Sequence, residues 1–170
     1  MEQVEIVDKN LKVSYVISKQ EAHEKGLLHK TVIGGIVNSK GERALIIPLS
    51  NRQDAGQYVS PVGGHVSAGE TDEEALKREA MEEMGLSAFK FKLIGKGIFN
   101  RRVIGRHENH YFIVYEIYTD RTPVLGYEAE SLKWFTLKEL KKEIKNNPQK
   151  FGEAYNFVLK NFYKNFLPKP

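Results

Sequence analysis

Apolar and polar positions change their period several times along the chain, and each change predicts an element. Val4–Val7 and Val13–Ile17 run apolar or alternate, which reads as two short strands around a turn at Asp8–Lys9–Asn10. Ser18 stands three residues before Glu21 in a capping-box pattern and opens a short helix expected to end at Gly26. Lys30–Val37 is again strand-like, and its Gly34–Gly35 pair marks a bulge or a close backbone approach. The turn residues Asn38–Gly41 lead to Ala44–Leu49 as a hairpin partner. After a polar loop from Ser50, Tyr58–Val62 reads as a strand. Phe89–Ile98 and Tyr111–Thr119 are long strand candidates, with Arg101, Arg102, Arg106 and His107 in the connection between them. Leu132–Phe135 is a further short strand. Two helices close the chain. One is opened by the box Thr136/Glu139 and stops before Pro148; the other carries the stripe Phe151, Tyr155, Val158, Phe162 and Phe166 over 149–166. Strands before and after one central helix imply a mixed sheet between helices.

The central helix carries the chemistry. Gly64–Leu86 reads GHVSAGETDEEALKREAMEEMGL. It opens with a glycine turn, Thr71 and Glu74 make a capping box, and the helix is expected from Asp72 to Met84. Gly85 suits the left-handed position that ends it. On this helix Glu79, Glu82 and Glu83 occupy i, i+3 and i+4, one side of the cylinder. Three carboxylates on one face repel each other unless a cation sits among them, and Mg²⁺ or Mn²⁺ takes oxygen ligands. A charge run alone is more simply a solvated face with pairs such as Glu73–Lys77 and Glu74–Arg78. The spacing decides between the two.

Gly64, Glu70, Arg78–Glu79, Glu82–Glu83 and Gly85 follow the order G-x5-E-x7-R-E-x2-E-E-x-G, and in this the chain resembles the Nudix hydrolases. Ala80 is the one departure, where that family usually carries a larger aliphatic residue. The resemblance implies the Nudix fold, an α/β/α sandwich with a mixed central sheet. It implies one domain over 1–170: N-terminal strands and a short helix in 1–30, a core over 31–140, and a C-terminal helix over 149–166. It further implies Glu79, Glu82, Glu83 and the Gly64 carbonyl as ligands of Mg²⁺ (or Mn²⁺). Glu82 or Glu83 doubles as general base, and Arg78 pairs with Glu70 to pin the loop onto the helix. The implied activity is a Mg²⁺-dependent pyrophosphohydrolase, cleaving a nucleoside diphosphate derivative or a nucleoside di- or triphosphate with metal-activated water. Many Nudix proteins pair, so a homodimer stays open.

A second resemblance lies outside that motif. Glu21–Ala22–His23, Leu28–His29, Gly63–Gly64–His65–Val66 and Arg106–His107–Glu108–Asn109 look like the type I isopentenyl diphosphate isomerases, a branch of the same superfamily. That branch holds a metal on three histidines and two glutamates, and moves protons with a cysteine and a glutamate. Here His29, His65 and Glu108 match ligand positions, and His23 matches with a one-residue offset. Gly63 stands at the catalytic cysteine and His110 at the catalytic glutamate. An isomerase without its acid and base is not expected to work. His29, His65 and Glu108 remain candidates for a second metal or for substrate, and His107 and His110 for substrate contact only.

Substrate selectivity comes from elsewhere. Arg52, Arg101 and Arg102, with Arg106, are placed to meet phosphates, whose geometry guanidinium matches. Tyr58 and Phe99 are candidates for stacking on a base or for packing. Glu128 and Glu130 stand where an extra loop glutamate would sit.

Composition narrows the setting. With 170 residues the chain is long enough for one real core, and it contains no cysteine, which removes disulfides, thiolate metal sites and a cysteine nucleophile. No apolar run approaches the roughly 20 residues of a membrane helix, and Met1–Asn10 is too polar for a signal peptide. The cytoplasm is the expected location, with no membrane partner. The net charge is +4. The excess is concentrated in the lysine-rich C-terminal segment, a solvated face rather than an RNA platform, although RNA decapping is a sub-case of the hydrolase reading. A non-catalytic nucleotide-binding module is the remaining alternative.

Overall fold

The computed structural model describes residues 1–170. Strands β1 (Gln3–Val7) and β2 (Val13–Ser18) form an antiparallel hairpin that leads into helix α1 (Lys19–Lys25). Ser18 Oγ accepts the Glu21 N–H, and Gly26 ends the helix at φ 63°. The return half of this capping box is missing, because the Glu21 carboxylate pairs with Lys25 one turn along the same helix.

Strand β3 (His29–Val37) is the hub of an eight-stranded mixed sheet. It is antiparallel to β4 (Arg43–Pro48) and to β5 (Val62–His65), touches β1 at Ile6, and runs parallel to β7 (Arg106–Tyr118) along its whole length. β6 (Lys90–Val103) pairs antiparallel with β7, and β8 (Ala129–Phe135) pairs antiparallel with β4. Helix α2 (Asp72–Met84) covers one face, where Ala75, Leu76, Ala80 and Met84 pack on Val32, Ile36, Ile113 and Ile117. On the other face Ile33, Phe99, Phe112 and Val114 meet Val158 of α4 (Glu153–Phe162). Helix α3 (Leu137–Asn146) adds Leu140 and Ile144 to a cluster with Phe135, Phe151 and Leu159. The alternation along β7 therefore buries apolar side chains on both faces, as a strand between two helical layers requires. This is an α/β/α sandwich around a mixed sheet, as expected. No helix is long and apolar enough to cross a membrane.

Helix α2 has the expected bounds: Thr71 and Glu74 make both halves of their capping box, and Gly85 closes the helix at φ 64°. Four expectations are corrected. Gly63 and Gly64 are not a turn but lie in β5, opposite Ile33 and Val32, while Tyr58 and Val59 make only isolated bridges to Phe151 and Ile46. Of the two expectations at Gly34 the close approach is met, without a bulge: a Cβ there would lie 3.0 Å from Ile117, and the ladder to β7 runs through it without a shift. Arg101, Arg102, Arg106 and His107 are not in a loop, since the β6–β7 hairpin runs on to a tight turn at Ile104 and Gly105. The C-terminal helix is shorter than 149–166, with single 3₁₀ turns at Pro148–Lys150 and Lys164–Phe166 flanking α4.

Candidate active site and the adjoining histidine cluster

Successive residues of a strand face opposite sides, and β5 uses this to serve two places at once. Gly64 faces α2. A Cβ on it would stand 2.0 Å from Glu79 Oε1, so only glycine lets that carboxylate lie against the main chain. Arg78 organises the surroundings. Its Nε and Nη2 both donate to Glu70, at 2.8 and 2.9 Å, in a bidentate fork. Nη1 donates to Glu79 Oε1 at 2.6 Å, and Nη2 also reaches the His65 carbonyl at 2.9 Å. The fork thus ties the loop before α2, the helix and β5 together. Glu83 accepts the Gly63 N–H at 3.0 Å. Glu82 points outward, 58% exposed, with Arg78 Nη1 3.6 Å away.

These surroundings tell on the carboxyl groups. Burial pushes Glu83 up to about 8; the Gly63 N–H opposes this, and the charges of Glu79, Glu128 and Glu82 add to it. Burial also raises Glu79, against the pull of Arg78. Glu70 is held below its usual range, chiefly by the Arg78 hydrogen bond. Two carboxyls driven toward protonation, Glu79 buried and Glu83 partly so, beside the Gly64 backbone, are hard-oxygen donors of the kind that could hold a divalent cation. The loop before β8 closes the other end. Val124 and Gly126 donate their N–H groups to the last carbonyls of α2, at Met84 and Glu83, over 2.9 and 2.8 Å.

Four further residues meet on the opposite side of the sheet. His23 from α1, His29 from β3, His65 from β5 and His110 from β7 have ligand atoms that all lie within 4.8 Å of one another. Glu79, Glu82 and Glu83 do not converge this closely, being turned to Arg78, outward and to Gly63 respectively. The imidazoles are kept neutral. Burial lowers His23 to about 4, lowers His29, and sets His65 and His110 well below the usual histidine range.

Glu108, expected as a ligand beside His29 and His65, is 2% exposed and has both oxygens on arginine: Oε2 on Arg101 at 2.9 Å and Oε1 on Arg106 at 2.8 Å. Arg101, expected at a phosphate, is itself 7% exposed and clamps Asp54 through both Nη atoms at 3.0 and 3.1 Å. It is a buried structural cation. Arg52 pairs with Glu128 at 3.0 Å on the surface, and Arg102 is exposed on β6. Phe99 is core, and Tyr58 packs edge-on against Phe135. His107 bonds Asn100 and lies against Gly26, away from both places. Sequence reasoning missed His110 as a partner of the other three. The available signal was parity along β7, which puts Glu108, His110 and Phe112 on one face.

The comparisons with known proteins agree with this architecture. Residues 27–155 match the NUDIX domain family. An isopentenyl-diphosphate Delta-isomerase of Serratia proteamaculans is 28% identical, with 89% of this chain and 86% of that protein aligned. An uncharacterised Nudix hydrolase of Clostridium acetobutylicum is 30% identical over 66% of this chain and 57% of its own length. A solved structure from Deinococcus radiodurans superposes with a TM-score of 0.73 at 22% identity, covering 95% of this chain and 99% of that one. The chain belongs to the Nudix family, and with it to the enzymes that hydrolyse pyrophosphate bonds. Its relatives include isomerase-like sequences.

Proposed function

We propose that the protein is a Mg²⁺- (or Mn²⁺-) dependent pyrophosphohydrolase acting on a nucleoside diphosphate derivative or a nucleoside di- or triphosphate. The observation that carries this is Glu83, a carboxyl raised to about 8 among Glu79, Glu82 and Glu128 and resting on the Gly63 N–H. Glu79, Glu82, Glu83 and the Gly64 carbonyl would hold the cation. When bound, it supplies charge neutralisation for the diphosphate oxygens and an acidified water. Arg78 keeps Glu79 aimed at Gly64 while gripping Glu70. Glu82 or Glu83 takes the proton from the attacking water. Substrate phosphates meet Arg102 and Arg52 at the surface rather than Arg101. We further propose a cytoplasmic small-molecule enzyme with no membrane or RNA partner required; a homodimer is compatible with this reading.

The isomerase reading is disfavoured despite the relatives. Position 63 offers a backbone N–H and no thiol, and His110 is a buried member of the imidazole cluster rather than a carboxylate. The test is release of phosphate or nucleotide from nucleoside diphosphate derivatives, nucleoside triphosphates, capped RNA and isopentenyl diphosphate, each with and without Mg²⁺. Turnover of one nucleotide class, abolished by chelator and by Glu83→Gln, supports the proposal. Isomerisation of isopentenyl diphosphate, or tight binding of a nucleotide with no turnover, overturns it.

A further inference from the structure

Tyr58 and Phe99, the two aromatic residues expected to stack on a base or to pack, are both packed against the protein. Another aromatic side chain stands at the rim of the glutamate site. Tyr127 is 83% exposed, more than any other aromatic residue of the chain. Single exposed apolar side chains are ordinary on a protein surface, so its place and its rigidity decide what it can do.

The place is set by Gly126. Its N–H donates to the Glu83 carbonyl at 2.8 Å, and a Cβ on it would stand 2.8 Å from the Glu82 carbonyl oxygen and 3.3 Å from the Glu83 Cα. Tyr127 follows one Cα–Cα step of about 3.8 Å later, so its main chain lies beside that of both glutamates. On its other side, the Glu128 carbonyl accepts the Leu49 N–H at 3.1 Å, and the Glu128 carboxylate pairs with Arg52 at 3.0 Å. Burial chiefly, and the Glu128 charge with it, raises Glu83, which puts Glu128 within electrostatic reach of the site. Rigidity comes from the same contacts. Val124 is hydrogen-bonded to Met84, and Leu125 and Ala129 pack on the core beside α2. The loop is therefore held on both sides of Tyr127 while the ring is left in solvent. Such a ring loses little entropy on meeting a flat partner, since tyrosine has only two side-chain torsions. The base of a nucleotide is a partner of that kind, and an isoprenoid chain is not.

We propose that Tyr127 is the base-stacking residue of the glutamate site, so that the substrate is a nucleotide whose base lies on this ring while its phosphates lie toward the α2 carboxylates and Arg52. The phosphate end of this arrangement rests on the hydrolase reading. Every base has a π-face, so stacking selects for the presence of a base and tolerates its identity.

The test has two arms, both on the full chain. In steady-state kinetics with Mg²⁺ and ADP, CDP, ATP or CTP, Tyr127→Ala should raise KM about 5- to 150-fold, the worth of one stacked base. Its kcat should change far less and its Tm should stay in place. Tyr127→Phe should keep most of the affinity, because the ring rather than the hydroxyl makes the contact. A KM unmoved in Tyr127→Ala, or raised as much in Tyr127→Phe, overturns the proposal. The second arm reads binding without turnover. In Tyr127→Trp, the emission added to that of the single native Trp134 should be quenched saturably by ADP and CDP, and not by inorganic pyrophosphate or isopentenyl diphosphate. Equal quenching by pyrophosphate, or none by either nucleotide, also overturns it. If no diphosphate is hydrolysed, the hydrolase reading falls and the quenching alone decides the stacking. If hydrolysis is found with KM unmoved in Tyr127→Ala, the stacking falls and the hydrolase reading stands.

Discussion

Gly64 and His65 are neighbours in the chain, yet they face opposite sides of one sheet, and the two sides gather ionisable groups of opposite kinds. On the α2 face the donors are carboxylates. They grade outward from Glu79, buried against Gly64, to Glu82, 58% exposed, and an arginine and a backbone N–H hold the two inner ones. On the other face the donors are neutral imidazoles, with His29 at 0% and His110 at 5% exposure. The difference follows from the cost of burial. A lone carboxylate deep in the protein is expensive and responds by taking up a proton, so a site built from carboxylates must stay at the rim, where substrate also needs to reach it. A neutral imidazole carries no charge to desolvate and costs less to bury than a carboxylate, so a cluster of them can sit under α1.

The comparison can be broken at several points. Glu83→Gln has the largest expected effect: turnover falls about 10²–10⁴-fold, measured by steady-state kinetics, with the fold retained. Unchanged turnover would remove Glu83 from the chemistry. Gly64→Ala comes next. Its Cβ would meet Glu79 Oε1 at 2.0 Å, and a displaced carboxylate should cost about 100-fold in turnover, with about 1–3 kcal/mol of stability lost to overpacking in denaturant titration. Arg101→Ala should leave KM near its original value and lower stability by about 3 kcal/mol, because it strips buried Glu108 and Asp54 of a shared cation. A rise in KM without destabilisation would return Arg101 to the substrate.

A pH series sharpens the carboxylate side. Glu83 has its folded value raised from 4.5 to about 8. Between those values the folded state holds more protons than the unfolded one, so stability falls as pH rises. In the metal-free protein Tm should therefore decline from about pH 5 toward pH 8, and Glu83→Gln or saturating Mg²⁺ should flatten that slope. A slope that persists in Glu83→Gln would place its origin elsewhere. The smallest effect is expected for Arg102→Ala, a few-fold rise in KM with Tm unchanged.

Local chemistry made much of this protein readable in advance. The capping boxes Thr71/Glu74 and Thr136/Glu139 and the left-handed Gly85 bound their helices where the residues say they should, because each contact spans only a few residues. The same nearness let Glu79, Glu82 and Glu83 be placed on one helical face, and Arg78 on Glu70. Other features depend on pairing partners remote in the chain. Whether Gly63–Gly64 turned or extended was decided by β3 alongside it. Whether Arg101 met substrate or Glu108 was decided by how far the β6–β7 ladder ran before its turn. His23 and His110 meet across 87 residues, and His23 and His65 across 42. No local period encodes such meetings. The sequence by itself determined helix α2 with both its caps, the start of α3 and the carboxylate face, since these rest on contacts within a turn or two. The tertiary structure alone decided that four histidines share one buried point, because only strand register and the docking of α1 bring their side chains to the same face.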